Sequence, residues 1–170
     1  MNYEDPNQPH RGALQGIGCL DGTFVDWVVE NNVVITDHWH GITLLGARNC
    51  QVINNTVMDR NDSGPGPPWI RIANHKNGTK PIDCVVRNNL ATTFSSASGV
   101  LDENNLRVED PAALFVDVEH FDLHLLPDVS AIDAGSSLNA PPLDRDRIPR
   151  PQGDGIDIGA YEWHLGSGKK

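Results

Sequence analysis

The chain has 170 residues, enough for one domain with a core of its own. Its formal net charge of −10 argues against general nucleic-acid binding. No apolar run approaches the roughly 20 residues a membrane-spanning helix needs, so no membrane insertion is expected either.

The first 15 residues, opening MNYEDPNQPHRG, lack the apolar stretch of a secretory signal and read as a leader or linker. Any export signal lies outside this sequence. From residue 16 to 120 the chain carries an internal repeat. Four segments align on a paired asparagine: VVENNVV, QVINNTV, VVRNNLA and LDENNLR. Their first asparagines, Asn31, Asn54, Asn88 and Asn104, are separated by 23, 34 and 16 residues. The first spacing suits one coil of a parallel β-helix. The second is that coil plus an insertion, placed in DRNDSGPGPPW and HKNGTKP, and the third suits a reduced coil.

Alternation supports strands. Four residues before each asparagine stand Trp27, Cys50, Cys84 and Val100, and two before it Val29, Val52, Val86 and Asp102. These positions face inward, with Asp102 the exception. Glu30, Ile53, Arg87 and Glu103, just before the asparagines, read as the solvent face. Coils stacked at about 4.8 Å let asparagine amides bond to one another and to the turn backbone. Sixteen glycines and 12 prolines argue against helices. The expected fold is an all-β, right-handed parallel β-helix of three to four coils, and a β-sandwich is the runner-up. Cys50 and Cys84 share a repeat position and are expected as buried, unbridged neighbours with Cα atoms about 5 Å apart. Cys19 completes the three cysteines, which fit no zinc spacing.

Charge is uneven along the coils. Between Gly41 and Arg87 six bases meet three acids, a net +3, whereas seven bases and twenty acids make up the rest. Such a band is either a footprint for an anionic ligand or ordinary surface variation. Aligning GITLLG on WIRIAN stacks Ile42 on Ile70 and Leu44 on Ile72, with Thr43 and Arg71 outward. The turn before this strand holds Asp37, His38, Trp39 and His40 in one coil and the loop from Asp59 to Pro68 in the next. His75 and Lys76 follow the strand.

From residue 121 to 164 the chain reads as a C-terminal cap, closed by linker-like residues 165–170. Asp144, Asp146, Asp157 and Glu162 suggest calcium ligands, but their spacing is not that of an EF-hand. An ion pair of Arg150 with Asp157 or Glu162 is the preferred reading.

The asparagine repeat, with ENNVVITDHWHGITLLGARNCQVINNTV, resembles the pectate-lyase-like right-handed β-helix superfamily. The tail, DLHLLPDVSAIDAG and RIPRPQGDGIDIGAYE, is similar to the C-terminal segment of extracellular bacterial β-helix proteins. The resemblance implies a secreted or cell-surface protein acting on a polysaccharide. Since such proteins usually have more coils, it also implies partner coils, from a longer parent chain or a second copy. The superfamily includes lyases, hydrolases and binding proteins, so activity rests on the site.

A lyase acting on a uronate polymer needs a base for the proton α to the carboxylate and a positive group for the enolate. Arg71 suits the enolate, Lys76 or His75 the base, and His38 and His40 the proton donor. Trp39 and Trp69 can stack on sugar rings, and Arg60 is a further substrate contact. No metal site is expected, because His38 and His40 have no clear third ligand; calcium is the one cofactor the resemblance suggests. Each residue also has a plainer reading. Arg71 can pair with a neighbouring acid, and the two histidines can bond turn backbone. Hydrolysis would use two carboxylates, for which Asp37 and Asp59 stand near one corner. A non-catalytic carbohydrate-binding module is the remaining reading.

Overall fold

The computed structural model describes residues 15–59 and 66–166. Arg60 with most of the inserted loop, the leader up to residue 14 and the last four residues lie outside the described residues. The described chain is nearly all β. Twelve strands run in order: β1 (Ile17–Cys19), β2 (Val28–Glu30), β3 (Val33–Thr36), β4 (His40–Leu45), β5 (Gln51–Ile53), β6 (Thr56–Asp59), β7 (Trp69–Ala73), β8 (Val85–Arg87), β9 (Leu90–Ala91), β10 (Thr93–Phe94), β11 (Leu101–Glu103) and β12 (Leu106–Arg107). Every third strand pairs in parallel, giving three four-stranded sheets: β1-β4-β7-β10, β2-β5-β8-β11 and β3-β6-β9-β12. This arrangement is compatible with the expected parallel β-helix and excludes an antiparallel sandwich. A short helix, α1 (Pro111–Leu114), and an antiparallel pair, β13 (Phe115–Asp117) with β14 (Asp122–Leu125), follow. No described helix is long and apolar enough to cross a membrane.

Register follows the repeat. Val29 pairs with Val52 and Val52 with Val86, and all three are buried in one apolar core. Ile42 pairs with Ile70 and Leu44 with Ile72, each wholly buried. Cys19, Cys50 and Cys84 are free thiols inside the same core, where burial pushes the Cys19 and Cys84 thiols up.

The two asparagines of each pair do different work. Asn31, Asn54, Asn88 and Asn104 all adopt left-handed backbone, with φ between 50° and 55°. Asparagine tolerates this conformation better than most residues, so it can turn the chain at the corner. The second asparagines form a ladder. The side-chain amide of Asn32 donates to Asn55 Oδ1 at 3.0 Å, Asn55 to Asn89 at 2.9 Å and Asn89 to Asn105 at 2.9 Å. The fourth rung is complete but short: β10, β11 and β12 each find a parallel partner. Asp102, at the inward position, accepts the amide of Asn105 at 2.8 Å, and no further asparagine follows in the ladder.

Three expectations need correction. Residues 131–163 do not close an end of the stack but cross its side, over the asparagine corner. The amides of Asn31, Asn54, Asn88 and Asn104 donate to carbonyls of Leu143, Asp157, Ser136 and Ala134 respectively. For that reason Ile53 and Arg87, expected in solvent, are buried, and Arg87 donates to Leu138 O at 2.8 Å and to Glu103 at 2.7 Å. The outer face of the third sheet forms a second core: Met58 and Leu90 pack with Phe115, Leu123, Leu125 and Ile158. Trp27, expected inward, is 47% exposed and packs edge-on against Phe24; it stands just before β2, which lies at the edge of its sheet.

Candidate functional site

The outer face of the first sheet carries the densest chemistry. His40 pairs with Trp69, but the next pair is Ile42 with Ile70, so Gly41 is an extra residue in β4. A side chain at Gly41 would stand 2.5 Å from Val57 Cγ1 and 2.9 Å from Trp69 O, which leaves room for glycine alone. This bulge puts His40 beside Trp69, ring edge to ring face, with centroids 5.4 Å apart.

Thr43 sits beneath both rings. Its Oγ1 accepts the indole N–H of Trp69 at 2.9 Å and lies 3.0 Å from His40 Nδ1. Although its position points outward, Thr43 is fully buried by these neighbours. His38 stacks on His40 at 5.2 Å, and its Nδ1 accepts the backbone N–H of His40 at 3.0 Å. Trp39 stands edge-on to His38 and is half exposed. Burial lowers the pKa of His38, opposed by the Asp37 carboxylate. Burial also lowers that of His40, and a proton on His38 and the charge of Arg71 lower it further. Both rings are therefore neutral near pH 7.

Arg71 pairs with Thr43 in the ladder and lies over the Trp69 ring, 5.2 Å from its centroid. Its Nε is shielded from water and has no hydrogen-bond partner, and it enters no ion pair among the described residues. An unpaired guanidinium on an aromatic face suits a carboxylate ligand. Asp37 and Asp59 stand at the same corner, because Thr36 pairs with Asp59 across β3 and β6.

The structure thus brings together His38, Trp39, His40, Trp69 and Arg71. It leaves His75 and Lys76 apart from them, past the far end of β7. Three residues lie between Arg71 and His75, a span of up to roughly 13 Å over four extended steps. There Lys76 pairs with Asp21 at 2.5 Å, and His75 Nε2 lies 3.4 Å from the same carboxylate. Arg60 lies outside the described residues. Thr43, which anchors both rings, was not anticipated from the sequence. A lone threonine in the apolar run GITLL was its only signal.

Calcium does not fit the tail carboxylates. Asp144 accepts the N–H groups of Ile148 and Glu162, and Asp157 those of Asp133 and Trp163. Glu162 is held by Arg150 at 2.5 Å and by the N–H of Gln152. The expected ion pair of Arg150 is therefore with Glu162. Among the described residues no group of three or more such side chains could hold a metal ion. Comparison with known proteins yields no match: no family model fits the chain, and no curated protein or solved structure is significantly similar to it.

Proposed function

We propose that the chain is a right-handed parallel β-helix protein of the pectate-lyase-like kind, exported to act as a lyase on an acidic, uronate-containing polysaccharide. The observation that carries this reading is the unpaired Arg71 guanidinium beside a neutral His40 on a tryptophan-lined face. Arg71 binds the uronate carboxylate and stabilises the enolate that forms when the adjacent carbon loses its proton. With the proton of its imidazole on Nδ1, donated to Thr43, His40 presents the Nε2 lone pair as base. The electron pair left on carbon moves into the carboxylate and then expels the glycosidic oxygen as the double bond forms. The His40 imidazolium returns its proton to that oxygen. His38 accepts at Nδ1, so its neutral ring offers Nε2–H to the developing charge. Trp39 and Trp69 give the sugar rings apolar faces. His75 and Lys76 are no longer the preferred bases, because both are turned to Asp21.

The test is incubation with alginate and with pectate, read for both ultraviolet absorbance of an unsaturated uronate and new reducing ends. Absorbance that His40→Ala abolishes supports the lyase. Reducing ends without unsaturation point instead to hydrolysis by Asp37 and Asp59, which share the corner. Binding with neither product leaves a binding module, and the lyase reading fails.

A further inference from the structure

The turns that leave the first sheet enclose a second feature, apart from the face just described. A cavity of about 220 Å³ lies between three successive turns, lined by Thr23 and Phe24, by Gly46 and Arg48, and by His75 and Thr79, among others. We propose that this cavity is a binding site for a small oxyanion, the carboxylate of a uronic acid or a sulfate group. The proposal does not rest on the lyase reading.

Its donors converge. His75 Nδ1 accepts the N–H of Asn77 at 3.2 Å, so the neutral ring carries its proton on Nε2. That Nε2 is shielded from water and lacks a hydrogen bond of good geometry, with Asp21 Oδ1 at 3.4 Å as a long contact. A buried donor without an acceptor is unfavourable, and an anion in the cavity would supply one. Arg48 is exposed, enters no ion pair among the described residues and faces the same space. The hydroxyls of Thr23 and Thr79 can donate as well. The carboxylate of Asp21, which stands 3.4 Å from His75 Nε2, is mostly exposed and paired with Lys76. The cavity is smaller than the usual few hundred cubic ångströms of a drug-sized pocket, which limits the guest to one charged group or one sugar. Positive charge on an otherwise acidic protein is thereby concentrated where shape restricts what can enter.

The experiment follows the His75 ring signals by NMR while the full chain is titrated with sodium sulfate and, separately, with glucuronate. Saturable shifts with one probe, and not with the other at similar concentration, identify which oxyanion the cavity takes. Arg48→Ala should weaken that affinity about tenfold or more, in line with loss of one charge-assisted bond. Asp21→Asn should tighten it by removing a competing carboxylate. His40→Ala should bind as the parent does, which separates this site from the candidate lyase centre. Absence of a saturable shift with both probes, or an affinity that Arg48→Ala leaves unchanged, overturns the proposal.

Discussion

At the scale of single residues, the histidine pair ties charge state to both stability and reaction. His38 Nδ1 is occupied by the N–H of His40, so a proton there would face another donor. Burial lowers both pKa values below 6.5, the ordinary imidazole value. The unfolded chain then takes up protons before the folded one does. Stability from this pair is fully present above about pH 6.5 and is lost as pH falls through the lowered folded values. Thermal unfolding midpoints measured between about pH 7.5 and 5 should fall, and His38→Ala with His40→Ala should flatten that slope. Catalysis by a neutral His40 should fail on the same acid side. Thr43 acts through His40, as a positioning residue. Thr43→Val should lower kcat with little change in KM and shift the acid limb of the pH profile, while Thr43→Ser should restore both.

At the scale of an element, the asparagine ladder is a chain of buried bonds with unequal links. Asn89 Oδ1 accepts both the backbone N–H of Asn55 and its side-chain amide, at 2.9 Å each. Both residues are wholly buried. Asn89→Ala strands those donors, at about 1–3 kcal/mol for each buried group left unpaired. Asn105 lies at the edge, where water can replace part of what is lost. Asn32, at the other edge, donates to Asn55, and among the described residues its side-chain oxygen accepts no bond. Denaturant unfolding should rank the losses Asn89→Ala first, Asn105→Ala next and Asn32→Ala least. Equal losses across the three would mean that burial does not set the strength of the ladder.

At the scale of the whole molecule, the tail acts as a side wall locked by one buried ion pair. The Arg150 and Glu162 side chains are fully enclosed, and Arg150 also donates to Gly159 O at 3.0 Å. Burial lowers the Arg150 pKa and raises that of Glu162, so both charges are held against a desolvation penalty. Removing one partner leaves the other uncompensated. Arg150→Met should therefore destabilise by about 3–5 kcal/mol in chemical denaturation. Adding Glu162→Leu should recover most of that loss. A double variant as unstable as the single one would show that backbone bonds to these groups, rather than the pair, hold the tail.

What the amino-acid order determined by itself was local and periodic. The valine columns, the asparagine corners, the match of Ile42 with Ile70 and the unbridged buried thiols all follow from one repeat, because a strand's alternation is written in neighbouring residues. For Arg150 the sequence narrowed the partner to Asp157 or Glu162, and the folded chain chose Glu162. Everything that depended on what packs against the outside was decided by tertiary structure. Ile53 and Arg87 carry the signature of exposed positions and are buried only because residues more than 40 positions later lie over them. The candidate site divides along the same line. Arg71 and His40 were placed together by strand register, whereas the bulge at Gly41, the buried hydroxyl of Thr43 and the turn of Lys76 toward Asp21 arise from contacts between successive rungs. Alternation says which way a side chain points; only the folded chain decides what it meets there.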